Sequence, residues 1–175
     1  MKPPAPYENA VTFQFGDSPE LADELLALVL SGAKTATCGA LRDFDEKEPM
    51  PEPGRRDVVL DGRGRPACAI ETISIVIQRF DEVDEAFAVA EGEGPYDAWR
   101  SGHIDYFDRN GGYAPDMLLV CERFRVVEVF KREADGHVRL AAGIRPRPAP
   151  RPCPGRDSSR SPWDRLPARA PDRAG

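Results

Sequence analysis

Residues 17–32, with the sequence DSPELADELLALVLSG, predict one short amphipathic helix with both of its ends marked. Asp17 or Ser18 can accept a hydrogen bond from the first helical N–H groups, and Pro19 suits the first helical position. Gly32 is typical of a helix end. The apolar residues at helical spacing form one stripe: Leu21, Leu25, Leu28 and Val29. Such a helix must bury that stripe against a second layer of structure.

The segments around this helix predict strands that can supply the second layer. Residues 11–15 alternate apolar and polar side chains, and residues 57–80 predict a hairpin around an Asp-Gly-Arg-Gly turn. Residues 117–131 form a β-branched closing strand, in which Glu122 and Arg123 indicate a bend or bulge. The chain therefore predicts a sheet that begins before the helix and ends far after it.

Two more helices are expected between the hairpin and the closing strand, at 81–93 and 95–110. The resulting order of elements predicts an α+β domain with a small, partly closed β-barrel and helices packed outside it. We expect a flexible N-terminus at 1–10 and a single domain at 11–132.

The last part of the chain, 141–175, differs in composition from the rest. It contains eight prolines and eight arginines among its 35 residues and few apolar side chains. Such a segment cannot bury enough surface to offset its ordering entropy, so we expect a disordered Pro/Arg-rich tail. The tail carries a formal charge of +5 and the preceding 140 residues carry −11. A body this acidic is poorly suited to holding a nucleic-acid backbone non-specifically.

Several classes of protein are disfavoured by what the sequence does not contain. It has no apolar run of the ~18 residues that would suggest a membrane span and no apolar signal region at its start, so we expect a cytoplasmic protein without membrane contact. The four cysteines and two histidines are scattered, without a CxxC pair. We therefore expect no metal site, no cofactor and no structural disulfide.

The octapeptide SGAKTATC, residues 31–38, concentrates reactive groups directly after the first helix. Lys34 can simply complement the C-terminal end of the helix dipole, and Thr35 and Thr37 can simply begin a strand. Alternatively, Lys34 can act as a base if burial lowers its pKa, and Thr37 can act as a nucleophile once a base removes its proton. Residues 34 and 37 face opposite sides of a regular strand, so joint action requires a bend between them.

A second candidate stretch is AEGEG, residues 90–94, where Glu91 and Glu93 are flanked by glycines that permit close backbone approach. The alternative is a solvated turn between two helices. Trp99 and His103 follow on the next helix, four residues apart and thus on one face. Each can belong to a site or to the core.

Four stretches in this order resemble the ASCH domain family. They are FGDSPELADELLALVLSGAKTATC, VVLDGRGRPACAIET, AEGEG with the following AWRSGH and YF, and DMLLVCERFRVVEVF. The resemblance implies a β-barrel related to the PUA fold, with a cleft near Gly32, Lys34 and Thr37. The family has been proposed to bind RNA. One small bacterial branch, which is similar at this motif, is an amidohydrolase that removes the acyl group of N4-acetylcytidine.

The resemblance to this branch implies a catalytic Lys34, Thr37 and Glu93, with Glu91 as a rival for the glutamate. We expect the remaining candidates to contact substrate: Glu91, Trp99, His103 and Thr35. Two other functions stay open. The domain can be an RNA- or modified-nucleotide-binding module, in which Lys34 contacts phosphate and Trp99 or Tyr96 stacks on bases. It can also be a ribonuclease. The partner is thus a small-molecule nucleoside or an RNA, and the oligomeric state is open.

Overall fold

The computed structural model describes residues 2–46, 48–132 and 138–140. The predicted tail at 141–175 lies outside these residues. Within the described ranges, the helices and strands follow this order: β1 Thr12–Phe13, α1 Pro19–Ser31, β2 Ala36–Ala40, β3 Arg56–Leu60, β4 Pro66–Arg79, α2 Glu85–Ala90, α3 Tyr96–Arg109, β5 Leu118–Arg132 and β6 Val138–Leu140. The predicted α+β class is confirmed, as are the hairpin, the three helices and the closing strand.

The ends of α1 are fixed by the residues that mark them in the sequence. Ser18 is the N-cap, because its hydroxyl accepts a hydrogen bond from the backbone N–H of Leu21 at 3.2 Å. Pro19 occupies the first helical position. Gly32 closes the helix with a φ of 78°, in the left-handed region that a glycine adopts without a side-chain penalty. The turn that follows redirects the chain towards Lys34.

The strands form a mixed sheet in the order β1-β3-β4-β5-β2, and β6 pairs with the end of β5. Only the β1–β3 pair among the described strands is parallel. The long strands β4 and β5 form a ribbon whose register shifts between Thr72 and Ser74, opposite Phe124 and Arg123. This irregularity lies next to Glu122, where the sequence indicated a bend.

The two end strands of the sheet, β1 and β2, approach each other around one cavity. Phe13 of β1 and Thr37 of β2 both line it, together with Val120 and Glu122 from β5. The sheet therefore curls around this space, which fits the expected partly closed barrel.

Helices cover the curled sheet on two sides. Helix α1 packs Leu25 and Val29 against Phe15 and Phe124, and helices α2 and α3 pack around Phe80 in a second core cluster. Residues 33–35 run from the end of α1 to the start of β2 and pass the end of α2. No helix within the described ranges has the length and apolar character needed to cross a membrane.

The N-terminal segment contacts β5 through Tyr7. Tyr7 is buried, and its ring lies 5.7 Å from that of Phe130. Its hydroxyl donates a hydrogen bond to Glu128 Oε2 at 3.1 Å. A buried aromatic side chain with a satisfied hydroxyl stabilises the segment against β5, which its proline-rich sequence did not indicate.

Candidate active site

Lys34 is positioned by the backbone turn that ends α1. The N–H groups of Ala33 and Lys34 both donate to the carbonyl of Leu28, at 2.9 and 3.1 Å. The next N–H, of Thr35, donates to the carbonyl of Ala90 at 2.8 Å. These bonds fix the loop between α1 and the end of α2, and Lys34 and Thr37 both line one small cavity beyond it.

The turn after α2 brings two glutamates to the same place. Glu91 is the C-cap of α2, and the following Gly92 has a φ of 72°. A Cβ atom at Gly92 would lie 2.5 Å from the carbonyl oxygen of Ala33. Only a glycine allows this close backbone approach, so the glycine in the AEGEG stretch has a direct structural purpose.

Lys34 binds both glutamates in a fully buried cluster. Its Nζ donates to Glu91 Oε2 at 2.8 Å and to Glu93 Oε1 at 2.6 Å. None of the three residues is more than 2% exposed. Nζ also lies 5.5 Å from the centre of the Phe15 ring, within the range of a cation–π interaction. The cluster therefore unites Lys34 with both of the glutamates between which the sequence did not decide.

The charges in this cluster hold Lys34 in its protonated form. Burial by itself would lower the pKa of Lys34, but the charges and hydrogen bonds of Glu91 and Glu93 outweigh it and raise the pKa above its ordinary value. For Glu91, burial opposes ionisation, yet the charge of Lys34 and then that of His103 lower its pKa. A lysine base needs a lowered pKa, and the resting cluster does not provide one.

His103 and Cys38 extend the cluster on the side of Glu91. His103 Nδ1 lies 2.9 Å from the carbonyl oxygen of Trp99, and its Nε2 lies 3.8 Å from Glu91 Oε2. A carbonyl can only accept, so Nδ1 carries a proton and Nε2 faces Glu91. Burial raises the pKa of the Cys38 thiol well above its usual value, and the charge of Glu91 raises it further.

Cys38, Glu91 and His103 form the one group among the described residues whose side chains could ligate a metal ion. One ligand atom from each lies within 4.8 Å of the others. Glu91 Oε1 is buried, and a hydrogen bond from the Cys38 side chain contributes to the lowered pKa of Glu91. However, Glu91 Oε2 already accepts a hydrogen bond from the ammonium of Lys34, and the thiol of Cys38 is held in its protonated form. The thiolate that would ligate a metal ion is therefore not the resting form of Cys38.

The cluster forms the inner end of a cleft. Lys34, Glu91, Glu93 and His103 line a small cavity of about 50 Å³, which adjoins a larger cavity of about 460 Å³. The residues common to both are Phe15, Gly16, Thr37, Cys38 and Tyr106. Thr37 thus lies at the junction, with the lysine cluster on one side and the open space on the other.

The larger cavity carries more negative than positive side chains. Its acidic lining residues are Asp43, Glu48, Asp57 and Glu122, and its basic lining residue is Arg55. Arg55 donates to both carboxylate oxygens of Asp57 at 2.7 to 3.1 Å, which neutralises that acid. The volume of the larger cavity, about 460 Å³, is within the ~300–1,000 Å³ typical of small-molecule sites. The space therefore suits a neutral ligand better than a phosphate.

Two residues that the sequence placed in the site lie outside both cavities. Trp99 is completely buried. Its ring is stacked on that of Phe80 at 5.6 Å and lies tilted at 4.4 Å from that of His103. It therefore supports His103 from the core and has no surface for a base to stack on. The hydroxyl of Thr35 is exposed and lies 3.4 Å from the carbonyl of Ala90, so this residue links the two loops.

Other lining residues were not identified as site residues from the sequence. Phe15 and Tyr106 line both cavities, and Glu122 lies buried in the wall of the larger one. The signal for Glu122 was an acidic residue inside an apolar, β-branched strand, which was interpreted only as a bend. Phe15 and Tyr106 carried no signal that separates them from ordinary core aromatics.

Comparison with known proteins identifies the family. The model for the ASCH domain matches residues 11–128. The chain belongs to the ASCH domain family. A solved protein from Enterococcus faecalis is 39% identical to this ASCH domain over 70% of this chain and 78% of its own, with a TM-score of 0.63. A solved ASCH domain from Lactobacillus crispatus is 33% identical over 69% of this chain and 81% of its own, with a TM-score of 0.63. The curated proteins include no significant match to this ASCH domain.

Proposed function

We propose that this ASCH domain is an amidohydrolase that removes an acyl group from an acylated pyrimidine nucleoside such as N4-acetylcytidine. The observation that carries the proposal is the position of Thr37 between a buried Lys34–Glu91–Glu93 cluster and a cavity large enough for a nucleoside. The ASCH family includes amidohydrolases, which is consistent with this assignment. The predicted catalytic residues Lys34, Thr37 and Glu93 all line the small cavity.

In the proposed reaction, Thr37 is the nucleophile and Lys34 activates it. Because Lys34 is protonated at rest, it first passes one proton from Nζ to Glu93 Oε1, 2.6 Å away. This transfer replaces two buried charges with two neutral groups, which a water-poor cavity tolerates. The neutral amine then takes the proton of the Thr37 hydroxyl as Oγ bonds to the acyl carbon.

The two glutamates have different tasks in this scheme. Glu93 stores the proton and returns it, and Glu91 holds Nζ at 2.8 Å throughout. After Thr37 has attacked, the restored ammonium of Lys34 faces the negative oxygen of the tetrahedral intermediate and stabilises it. When the C–N bond breaks, the acyl group stays on Thr37 and the nitrogen departs. A water molecule then cleaves the Thr37 ester and gives up one proton to solvent. As Thr37 Oγ departs, the Lys34 ammonium protonates it, and Glu93 returns its stored proton to Nζ.

The acidic lining of the larger cavity favours a neutral nucleoside over RNA. Apart from Arg55, which is paired with Asp57, the charged residues that line it are acidic. A phosphate placed there would meet repulsion without a compensating cation. The RNA-binding alternative placed a base on Trp99 or Tyr96. Trp99 is completely buried, and Tyr96 stacks on Trp99 and donates its hydroxyl to the carbonyl of Val83, so neither lines the cavity.

The experiment that tests this function compares N4-acetylcytidine with its 5′-monophosphate as substrates of the full chain. Hydrolysis is followed by loss of the ultraviolet band of the acylated base. We expect turnover of the nucleoside and a lower kcat/KM for the phosphate. If neither compound is hydrolysed, while a single-stranded RNA binds with an affinity that falls as salt rises, the binding-module function replaces the one proposed.

A further inference from the structure

Glu122 is a buried carboxyl group in the cavity wall that the reaction described above does not use. It is 7% exposed and lines the larger cavity. Its hydrogen-bond partner is the hydroxyl of Thr72, which donates to Oε1 at 2.6 Å. Among the described residues, no lysine, arginine or histidine forms an ion pair with it. Burying an acid without a cation is unfavourable, and active sites are where proteins retain such groups.

The neighbouring acid Asp57 shows how a purely structural carboxylate is treated in the same wall. Arg55 binds both of its oxygens, and the same guanidinium donates to the backbone carbonyls of Met50 and Pro49 at 2.7 and 3.3 Å. Arg55 therefore neutralises Asp57 and fastens the loop before it. Glu122 receives no comparable partner, so its carboxyl group is left to face the cavity.

The sheet register places Glu122 next to the nucleophile. Thr37 of β2 and Glu122 of β5 are directly opposite each other in the antiparallel ladder. Directly opposite side chains lie on the same face of a sheet, with Cβ atoms ~4.5–5.5 Å apart. Lys34 lines the small cavity and Glu122 lines the large one, while Thr37 lines both. An acyl group bound to Thr37 therefore has the lysine cluster on one side and Glu122 on the other.

We propose that Glu122 contacts the leaving nitrogen of the scissile amide and supplies the proton that this nitrogen takes when the C–N bond breaks. This inference rests on the proposed amidohydrolase function. Thr37 Oγ forms the new bond to carbon, the C–N electron pair stays on nitrogen, and the proton of the Glu122 carboxyl group joins it. Glu122 then takes a proton from solvent before the next turnover, so the cycle is balanced.

The surroundings of Glu122 suit a proton donor. Burial raises its pKa, the hydrogen bond from Thr72 lowers it, the charge of Asp57 raises it and the charge of Arg55 lowers it, with a net upward shift. These are the charged and polar groups that face it from β3, from the residue before β3 and from β4. A carboxyl group that stays protonated at higher pH than an exposed glutamate is the form a general acid needs.

The test compares two acetyl donors that differ in how much the leaving group needs a proton. N4-acetylcytidine releases an amine nitrogen, and 4-nitrophenyl acetate releases a phenolate that leaves without protonation. For Glu122→Gln we expect a loss of ~10²–10⁴-fold on the amide, the usual size of a general-acid effect, and nearly wild-type cleavage of the ester. Thr37→Val should lose both. Glu128→Gln, on the same strand but outside both cavities, is the matched control and should lose neither.

Three other outcomes would overturn the assignment in distinguishable ways. If Glu122→Gln lowers the rates of amide and ester cleavage by the same factor, Glu122 is a structural residue. If Glu122→Gln leaves the amide rate unchanged, Glu122 takes no part in the reaction. Amide hydrolysis absent in the wild type would overturn the proposed function together with the role of Glu122. In the wild type, the amide rate should also fall as pH rises through the raised pKa of Glu122, and the ester rate should not show that decline.

Discussion

Nζ of Lys34 lies 2.6 Å from Oε1 of Glu93, and neither side chain is accessible to solvent beyond 2%. This contact joins the loop that leaves α1 to the turn that leaves α2, two segments 59 residues apart in sequence. The same lysine also binds Glu91. One buried cation therefore holds together the two helix ends, and Thr37, three residues after Lys34, is placed beside it.

Removing only the hydroxyl of Thr37 should abolish turnover. Thr37→Val keeps the β-branched shape of a half-buried strand residue, so we expect the free energy of unfolding to change little. Without Oγ no acyl-enzyme forms, and kcat should fall by at least ~10²-fold, as expected when an essential nucleophile is lost. Thr12→Val, an exposed threonine on β1, is the control. Comparable residual rates in the two variants would remove Thr37 from the mechanism.

Replacing Lys34 should destabilise the fold as well as stop the reaction. Lys34→Met leaves the carboxylates of Glu91 and Glu93 buried without their cation. Breaking a buried ion pair on one side costs ~3–5 kcal/mol, which urea denaturation at neutral pH can measure. Adding Glu91→Gln and Glu93→Gln to this variant should recover part of the lost free energy.

The control for Lys34 is a cation whose pair is exposed. Arg125 contacts Glu71 at the surface, so Arg125→Met should change the free energy of unfolding much less than Lys34→Met. If Lys34→Met is as stable as the wild type, the two glutamates are not charged in the folded protein, and the proton-transfer scheme built on the ion pair is wrong.

Gly92 should be far more sensitive to substitution than another glycine of the same conformation. Gly92 and Gly64 have φ values of 72° and 71°. A Cβ at Gly92 would lie 2.5 Å from the carbonyl oxygen of Ala33, whereas a Cβ at Gly64 would meet nothing within 4 Å. Gly64→Ala should cost only the strain of the backbone conformation, ~1 kcal/mol.

The amount by which Gly92→Ala loses more folding free energy than Gly64→Ala then measures the cost of crowding the Ala33 carbonyl. We expect a clearly lower melting temperature and much weaker turnover, because the clash separates Glu91 and Glu93 from Lys34. Thermal unfolding followed by circular dichroism, together with the deacylation rate, reports both effects. Equal melting temperatures for the two alanine variants would contradict the backbone contact with Ala33.

Glu122 should lower the stability of the folded protein at neutral pH. Its folded pKa is raised above the ordinary 4.5, so the unfolded chain ionises more readily than the folded one. The wild type therefore loses stability as pH rises from about 4.5 through the folded pKa of Glu122. Glu122→Gln cannot ionise and keeps an oxygen for the hydroxyl of Thr72.

The Glu122→Gln variant should thus be more stable than the wild type at neutral pH and equally stable below pH 4.5. Denaturation in urea at several pH values checks this, with Glu128→Gln as the control for a general effect of removing one charge. A stability difference that does not depend on pH would mean that Glu122 ionises normally in the folded protein.

Much of the fold could be predicted from the sequence because its signals are local. Ser18, Pro19 and Gly32 mark the ends of α1 by contacts within the helix itself. The Asp-Gly-Arg-Gly turn indicated the β3–β4 hairpin, although its contact with α1, from the Gly62 N–H to Asp23 Oδ1, is known only from the structure. The glycines of AEGEG likewise indicated a close backbone approach, although the partner, the carbonyl of Ala33, is known only from the structure.

The candidate site was harder to predict because its properties depend on contacts between distant residues. Lys34 has a raised pKa only because Glu91 and Glu93 reach it, and burial alone argues for the opposite shift. Glu122 gains its position from the pairing of β2 with β5, a register that no local pattern specifies. Trp99 and Thr35 were expected to contact substrate because of their residue type and their place near a motif, yet neither lines a cavity in the structure.

The most direct measurement is the rate of N4-acetylcytidine deacetylation by the purified full chain, with the wild type, Thr37→Val and Thr12→Val assayed side by side. We expect steady turnover by the wild type and by Thr12→Val and none above background by Thr37→Val. Turnover retained by Thr37→Val, or absent from the folded wild type, would contradict the claim that the Lys34 cluster and Thr37 hydrolyse an acylated nucleoside.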